Sequence, residues 1–258
     1  MSDKISVVVH TYNNEKIIRE CLESIKDFDE IVLCDMYSTD KTLDIAKKYN
    51  CKIIMHEKTG FVEPARNFAI SNASFGWVLV VDSDEIITEK LREYLYDFIK
   101  NSQNYSAISI PRITYGWGEA LEVLYPDKIM RFYKRDFVYY PPEIHSTPQI
   151  KQGDIYYIDK NRRELAIIHK QERSISGWIN IINQYTDIEL EKKIKENKEI
   201  NFWAHSWKSL FIIFEKFLFK RGYKNGIRGF IICVIVFGFY KFVLGCKYWE
   251  YLLNKKEP

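Results

Sequence analysis

The sequence predicts an α/β protein with an open, mainly parallel sheet flanked by helices. Two observations predict this fold class. In the first hundred residues short β-branched runs alternate with amphipathic segments, and the resulting β-α-β-α-β-α-β order requires right-handed crossovers between parallel strands. The chain has 258 residues, 47% of them hydrophobic. This is enough for one large domain with a buried core, and it excludes a disordered or collagen-like chain.

Local patterns predict each element of this first half. Ile5–Val9 is β-branched, too short for a typical helix and apolar on both faces, as in a strand buried in a parallel sheet. Glu15–Ile25 repeats apolar residues at helical spacing, which predicts the first helix. The same patterns, with Ser38-Thr39-Asp40 as the cap of the second helix, predict the elements that follow: a strand at Ile31–Cys34, a helix containing Leu43, Ile45 and Ala46, a strand at Cys51–Met55, a helix at Pro64–Ala73 and a strand at Trp77–Val81.

The alternation becomes less regular from about Ile87. A region dense in aromatic residues and prolines, Tyr115–Pro148, is predicted to be irregular around one strand. The elements predicted in this half are helices at Lys90–Lys100, Ser176–Glu199 and Phe202–Phe219 and strands at Ala107–Ile110, Lys128–Tyr133, Asp154–Ile158 and Ala166–His169. Because no Gly/Ser-rich linker interrupts the chain, we interpret residues 1–190 as one catalytic-type domain and residues 191–258 as a C-terminal helical region.

Charge is divided unevenly along the chain. The total of +3 is too small for the whole molecule to act as a polycation, so no nucleic-acid partner is predicted. It combines net −6 over residues 1–191 with net +9 over residues 192–258, where aromatic residues are also abundant. Gly229–Tyr240 has no charge and is flanked by lysines and arginines, which favours an interfacial or re-entrant helix on an anionic membrane surface. The alternative is a buried packing or dimerisation helix, and the oligomeric state stays open.

Cysteine usage and the N-terminus indicate a compartment. The five cysteines are odd in number and include no C-x-x-C pair, which argues against a disulfide framework or a structural zinc site and favours reduced thiols. The first residues show no basic segment followed by a long apolar run, so no secretion signal is predicted. We therefore expect a cytoplasmic protein, peripheral on the inner face of the cytoplasmic membrane.

The strongest chemical signal is Asp82-Ser83-Asp84-Glu85, directly after the fourth predicted strand. In open α/β sheets ligands bind beyond the carboxyl ends of the strands. Three carboxylates in four residues repel one another, and a divalent cation would compensate them while sharing its other positions with water and phosphate oxygens. This pattern points to a diphosphate-bearing nucleotide as ligand. Alternatively, Asp82 or Ser83 caps the next helix and Glu85 favours its dipole.

Four motifs in order resemble those of the family 2 glycosyltransferases, which have the GT-A fold. These motifs are His10-Thr11-Tyr12-Asn13-Asn14-Glu15, Asp35-Met36-Tyr37-Ser38-Thr39-Asp40-Lys41-Thr42, Ala65-Arg66-Asn67 and Asp82-Ser83-Asp84-Glu85. Within that family the chain is similar to the bacterial lipopolysaccharide core β-glucosyltransferase group. That similarity continues through Tyr125-Pro126-Asp127-Lys128, Arg131-Phe132-Tyr133-Lys134-Arg135, Ile144-His145 and Ile168-His169.

The resemblance implies a binding site for a nucleotide sugar, commonly UDP-linked. Thr11 and Asp35 would lie against the base and ribose, and Arg66 near the nucleotide or its diphosphate. The full implied set for the nucleotide sugar is Thr11, Asn13, Glu15, Asp35, Arg66, Asp82 and Ser83. Asp84 would coordinate Mg²⁺ or Mn²⁺, with Asp82 as a second ligand or on the ribose and His169 completing the metal shell. From the residues alone, Asp35 could instead form a turn, Arg66 could be an exposed helix residue, and His169 could be structural.

Inverting sugar transfer needs one base opposite the leaving diphosphate. The related group reads His-Glu where this chain has His145-Ser146, so Glu143 is predicted as the base, with Asp127 and His145 as reserves. The implied reaction moves a hexose to a lipopolysaccharide core or other envelope glycan or glycolipid. Three alternatives are transfer to a polyprenyl phosphate, which needs no base, a nucleotidyltransferase, disfavoured by the missing Gly-rich loop, and a non-catalytic nucleotide-sugar-binding membrane protein.

Overall fold

The computed structural model describes residues 3–57, 63–101, 104–141, 147–171 and 173–255. It separates into two compact units. The first comprises Met1–Ile113 with Pro126–Lys170, and the second Thr114–Tyr125 with Gln171–Pro258. The boundary predicted at residue 190 lies within the helix Ile175–Lys195, and the division into two functional domains stays a prediction.

The strands form a mixed sheet. In chain order they are β1 (Ile5–Thr11), β2 (Glu30–Asp35), β3 (Lys52–Met55), β4 (Trp77–Asp82), β5 (Glu85–Ile86), β6 (Tyr105–Gly116), β7 (Glu119–Ala120), β8 (Asp127–Lys134), β9 (Val138–Tyr139), β10 (Gln149–Ile150), β11 (Asp154–Tyr157) and β12 (Ile167–Lys170). The main sheet has the order β3-β2-β1-β4-β8-β6-β12-β5, with β7 and β11 beside β6, and β9 pairs with β10 separately. The first four strands pair in parallel, whereas β4-β8, β8-β6 and β12-β5 are antiparallel.

The helices fall close to their predicted positions. They are α1 (Ile18–Ile25), α2 (Thr42–Ala46), α3 (Glu63–Ser71), α4 (Glu89–Asn101), α5 (Ile175–Lys195), α6 (Phe202–Leu218), α7 (Gly226–Ile232) and α8 (Tyr240–Asn254). A π-helical segment, Cys233–Phe239, joins α7 to α8. The predicted α/β class is confirmed, and the sheet is parallel among its first four strands and between β6 and β11.

The sheet of the first unit buries both of its faces. Every residue of β1 is buried, as parallel strands covered by helices require. On one face the apolar stripes of α1 and α4 pack, including Leu22 and Leu91. On the other face the small residues Ala65 and Ala69 of α3 pack against the sheet. Strand register therefore has little freedom, because a slip of one residue would exchange the two faces.

Strand register also decides which residues share the carboxyl edge of the sheet. Thr11 of β1 pairs with Asp35 of β2, and His10 pairs with Asp82 of β4. The residues that follow three neighbouring strands therefore meet at one edge, as the sequence predicted.

The second unit is helical. Gly222–Asn254 is the one helical segment in the described chain that is long and apolar enough, by length and composition, to cross a membrane, and a third of its most apolar stretch is buried. It packs closely on α6: Ser209 Oγ donates to the Gly238 carbonyl at 2.8 Å. A Cβ at Gly238 would lie 2.4 Å from Ile213 Cδ1, so a larger residue there would force the Ile213 side chain to move.

Candidate active site

The loops after β1 and β2 are tied together by their own side chains. The backbone N–H of Asn13 donates to Ser38 Oγ at 2.9 Å, and the N–H of Thr39 donates to Asn13 Oδ1 at 2.8 Å. The N–H of Glu15 donates to Asp40 Oδ2 at 3.0 Å. Asn13 adopts a positive φ of 51°, which asparagine tolerates well. Asn13 and Glu15, predicted to contact a nucleotide sugar, thus act in the structure as supports that fix the loops.

Asp35 is fully buried at the end of β2 and accepts two hydrogen bonds from Ser38. The Ser38 N–H donates to Asp35 Oδ2 at 2.7 Å, and Ser38 Oγ donates to Oδ1 at 2.5 Å. This is the turn-forming arrangement that the sequence left open as an alternative. It places the neighbouring Tyr37, at φ 60° and 58% exposed, on the surface of the turn. A direct contact between Asp35 and a nucleotide stays a prediction.

Asn14 joins the β1 loop to the residues that follow β4. Its Nδ2 donates to Thr11 Oγ1 at 3.2 Å and to Ser83 Oγ at 2.8 Å. Thr11 is 1% exposed and Ser83 is 9% exposed. Two residues predicted to contact a donor, Thr11 and Ser83, are therefore held side by side by one amide group.

Three arginines hold Asp82 and Glu85. One oxygen of Asp82 lies 3.3 Å from Arg66 Nη2, and the other accepts a hydrogen bond from Arg131 Nη2. Arg131 Nη2 also lies 3.4 Å from Glu85 Oε1, and Arg112 Nη1 donates to this same oxygen at 2.9 Å. The other oxygen of the fully buried Glu85 accepts from the backbone N–H of Asp82 at 3.0 Å. The sequence predicted that a metal ion compensates the negative charges of this motif. At Asp82 and Glu85, arginine side chains compensate them instead.

This network keeps Asp82 ionised. Burial alone would raise the pKa of Asp82, but the charges of Arg131 and Arg66 outweigh burial and hold that pKa well below its ordinary value. Burial would likewise lower the pKa of Arg131, but Asp82 and Glu85 raise it. Since both oxygens of Asp82 already have arginine partners, this carboxylate is poorly placed to bind a metal ion.

His10 lies beside Asp82 in the sheet register and is 5% exposed. Burial, together with the nearby charge of Arg66, lowers the pKa of His10 to about 3. The imidazole is therefore neutral at physiological pH and does not compete with the arginines for Asp82.

Asp84 has a different environment from Asp82. Its side chain is 23% exposed, and its Oδ2 lies 3.2 Å from Nε2 of His169. The pairing of β12 with β5 brings His169 to this position, and the backbone N–H of Lys170 donates to the Asp84 carbonyl at 2.8 Å. Asp84 and His169, two of the three predicted metal ligands, therefore lie within contact distance of each other, and their role as ligands stays a prediction.

The Asp84–His169 pair offers two donors. The described part of the chain holds no group of three or more His, Cys, Asp or Glu side chains that could bind a metal ion. Mg²⁺ is usually held by one or two carboxylates and completes its coordination with water and substrate phosphates. The pair therefore fits an ion that is shared with a bound diphosphate, and does not fit a metal site built by the protein alone.

A cavity of about 410 Å³ lies beside the arginine network, lined in part by Arg66, Lys128, Arg131, Tyr140 and Tyr157. The Arg66 guanidinium lies 5.3 Å from the ring centroid of Tyr140. Nη1 of Arg66 and Nε of Arg131 are buried without a hydrogen-bond partner among the described residues. A cationic wall with unused N–H groups is suited to a polar or anionic ligand.

Asn67 fixes the chain where it enters residues 142–146. Its Nδ2 donates to the Tyr140 carbonyl at 2.7 Å, and its Oδ1 accepts from the Tyr140 N–H at 2.9 Å. Two of the residues predicted as base, Glu143 and His145, lie outside the described residues. The third, Asp127, accepts a hydrogen bond from Arg112 Nε at 3.0 Å and a second from its Nη2. Because both of these bonds go to one guanidinium group, the structure favours a structural role for Asp127.

Sequence reasoning missed the three residues that organise this site. Arg112 and Glu85 were given no role beyond a helix-dipole alternative for Glu85, and Arg131 was noted only within a family motif. The one available signal was the placement of Arg112 and Arg131 among apolar residues in predicted or neighbouring strands, where a charge is costly unless it is paired.

The fold and this edge define a class of protein. The carboxyl ends of β1, β2 and β4 meet at one edge of the sheet, where polar loops and a carboxylate–imidazole pair lie. This arrangement is that of a nucleotide-binding α/β domain of the GT-A type. The sequence model described as Glycosyl transferase family 2 matches residues 6–154, more than half of the chain. The protein belongs to this family and is a glycosyltransferase, as the sequence predicted.

Individual relatives agree with this assignment. An uncharacterized glycosyltransferase of Rickettsia typhi is 27% identical over 263 residues, covering 98% of this chain and 89% of the relative. Poly(ribitol-phosphate) beta-N-acetylglucosaminyltransferase TarS of Staphylococcus aureus is 32% identical over 191 residues, which is 69% of this chain and 33% of that protein. The solved structure of S. aureus TarS 1-349 in complex with UDP-GlcNAc covers 97% of this chain and 92% of its own, with 18% identity and a TM-score of 0.50.

Proposed function

We propose that the protein transfers a hexose from a UDP-linked donor to an envelope glycan or glycolipid, with inversion at the anomeric carbon and with a divalent cation. The observation that carries this proposal is the Asp84–His169 pair at the carboxyl edge of the sheet. It lies within a family 2 domain, next in sequence to Ser83, which Asn14 ties to Thr11. TarS is named for the transfer of N-acetylglucosamine to a poly(ribitol-phosphate), which supports a sugar donor and an envelope polymer as substrates of this chain.

Each side of the site has a proposed role toward the donor. The loops fixed by Asn13 and Glu15 would present Thr11 and the Asp35 turn to the base and ribose. Arg66, held by Asp82, would interact with the diphosphate. Because Arg66 and Arg131 fix Asp82, its part in donor binding is to orient Arg66, and its predicted metal role passes to Asp84 and His169.

Asp84 and His169 would hold Mg²⁺ or Mn²⁺, which when bound stabilises the negative charge that develops on the leaving diphosphate. The chain's own residues would do the rest of the work. Thr11 and Ser83, tied together by Asn14, would line the floor beneath the donor. Arg66 would offer the positive charge of its guanidinium to the diphosphate.

Inversion requires attack by an acceptor hydroxyl from the face opposite the diphosphate, with loss of its proton to a base. Glu143 is the proposed base, because Asp127 is engaged by Arg112. Asn67 fixes Tyr140, which lies three residues before Glu143 in the sequence and whose ring centroid is 5.3 Å from the Arg66 guanidinium.

A donor and acceptor screen tests this function. UDP release should be measured with a set of UDP-sugars, with Mg²⁺, Mn²⁺ or a chelator, and with three acceptors: a core oligosaccharide, a poly(ribitol phosphate) and a polyprenyl phosphate. We expect acceptor-dependent UDP release that the chelator abolishes. Glu143→Gln should lower the rate about 10²–10⁴-fold, whereas Asp127→Asn should leave it within about threefold if Asp127 only pairs with Arg112.

The screen separates the alternatives. Transfer to a polyprenyl phosphate that Glu143→Gln does not slow would favour the anionic acceptor that needs no base. UDP binding without release or transfer for any donor would contradict the catalytic proposal. Loss of activity in Asp127→Asn with normal activity in Glu143→Gln would exchange the two roles.

We also propose that the acceptor is reached at the inner face of the cytoplasmic membrane, with lipopolysaccharide core or a related envelope glycan as acceptor. The basic, aromatic second unit and its long apolar helical segment support a membrane-associated protein. The cations of residues 192–258 suit anionic lipids.

A further inference from the structure

One face of α6 exposes a row of large apolar side chains to solvent. Six residues, 42–72% exposed, form what we call the α6 stripe: Trp203, Trp207, Leu210, Phe211, Phe214 and Leu218. At about 100° of rotation per residue they fall within an arc of about 100°, so they form one stripe along the helix. Phe219 extends the stripe, because its ring lies 6.3 Å from that of Phe214 and it is 74% exposed.

The opposite face of α6 already serves the core of the second unit. Ser209 is buried and bonded to Gly238, and Ile213 packs in the same apolar cluster as Ile232 and Cys233. The helix is therefore apolar on two sides, and packing within its unit accounts for only one of them. An exposed apolar patch of this kind marks an interaction site.

The predicted membrane-binding run, Gly229–Tyr240, is a weaker candidate for that site. Polar bonds to α5 engage this helical segment: Tyr240 donates to Glu189, and Lys247 Nζ lies 2.5 Å from Asp187 Oδ1. Insertion of the segment across a bilayer would break these bonds or carry the two carboxylates into hydrocarbon, which is costly. The segment thus supports α6 from behind.

Charge complementarity identifies what covers the stripe. Exposed Lys208 lies on α6, and Lys220, Arg221 and Lys224, also exposed, follow at its end. The last three make no ion pair with the described residues. Tryptophans and phenylalanines beside lysines and arginines are typical of helices that lie in the boundary between lipid headgroups and acyl chains. Anionic headgroups would pair with the cations while the stripe enters the boundary.

We propose that the α6 stripe is the surface by which the protein lies on an anionic bilayer, parallel to the membrane plane. This inference rests on the proposed membrane-proximal transfer and names the surface responsible for it. The acceptor would then be met as a lipid-anchored molecule in the same leaflet.

Vesicle binding by the full chain tests the proposal. Sedimentation and tryptophan fluorescence should be measured with vesicles of phosphatidylcholine alone and of phosphatidylcholine with phosphatidylglycerol. The test variant is Trp207→Ser with Phe211→Ser, and the control is Phe68→Ser, a 39% exposed phenylalanine on α3. We expect the double variant to bind anionic vesicles at least about tenfold more weakly and the control to bind like the parent chain. Lys220→Glu with Lys224→Glu should remove the preference for anionic vesicles.

Each other result overturns the proposal. Equal binding by the double variant and the parent, or an equal loss in Phe68→Ser, would show that the stripe is not the contact. A dimer that dissociates in the double variant, without vesicle binding by the parent, would show that a second copy of the chain covers the stripe. Circular dichroism controls for folding. UDP release with a soluble acceptor separates this outcome from failure of the proposed function, because it does not require the membrane.

Discussion

Asp82 and Asp84 are two residues apart in one motif, yet the fold gives them different partners. Asp82 contacts Arg66 and Arg131, whereas Asp84 contacts His169, and the exposed fractions of the two side chains are similar, 31% and 23%. The same type of side chain is thus part of an arginine network at one position and is paired with an imidazole at the other. A motif of paired carboxylates therefore specifies a site only together with the cations that distant strands bring to it.

Removal of Arg131, which contacts Asp82 and Glu85, should have the largest effect on the stability of the fold. Arg131→Ala would leave Glu85 and Asp82 without a shared partner in a buried environment, which typically costs about 3–5 kcal/mol. Chemical denaturation should show this loss in the free energy of unfolding. Arg162→Ala is the matched control, because its pair with Glu164 is half exposed and should contribute less than about 1 kcal/mol. A similar small loss in both variants would show that the network is not a scaffold.

Removal of the charge of Asp84 should lower activity and leave the stability of the fold nearly unchanged. Asp84→Asn keeps the shape of the side chain, so the free energy of unfolding should change by less than about 1 kcal/mol. The rate of acceptor-dependent UDP release should fall about 10³-fold, as expected when several kcal/mol of charge stabilisation are lost. Asp136→Asn, at a 72% exposed surface position, should leave the rate unchanged. An active Asp84→Asn enzyme that still needs a metal ion would refute the assignment of Asp84 as ligand.

The smallest effect concerns His10, which is buried in its neutral form next to Asp82. Its pKa is lowered to about 3 in the folded chain, against about 6.5 in the unfolded chain. Below pH 6.5 the unfolded chain therefore binds a proton that the folded chain does not, and stability falls with decreasing pH. The loss approaches about 1.4 kcal/mol per pH unit between pH 6 and 4.

His10→Phe should remove this slope, which is measured as the difference between the unfolding free energies of the two chains at a series of pH values. The difference should be constant above pH 7. Parallel pH profiles down to pH 4 would show that His10 does not remain neutral in the fold.

The sequence predicted the first unit well because its signals are local. The β-branched runs around Val8 and Val80 indicate buried strands, and the polar residues that follow them were placed at one edge by topology alone. The resemblance grouped Asp84 and His169, 85 residues apart, as ligands of one metal ion, and in the structure their side chains lie 3.2 Å apart. The sequence predicted a mainly parallel sheet and did not reveal the antiparallel pairing of later strands such as β8, because both kinds of strand have the same apolar pattern.

The arginine network, the role of Asp35 and the exposed face of α6 depend on contacts that no local sequence pattern reveals. Glu85 meets Arg112 and Arg131 from 27 and 46 residues away, so a repulsive carboxylate cluster in the sequence became a neutralised network in the fold. Asp35 was open to two interpretations until its bonds to Ser38 were visible. In the second unit, composition identified apolar helices, but only packing decided which face of α6 stays in solvent.

The anchor between Asn67 and Tyr140 has a consequence for stability. Tyr139 pairs with Gln149 and Val138 with Ile150, and Asn67 bonds both backbone groups of Tyr140. A two-residue strand pair contributes little by itself. One side chain of α3 therefore secures a short hairpin-like pairing to the main body of its unit, and loss of Asn67 would release both together.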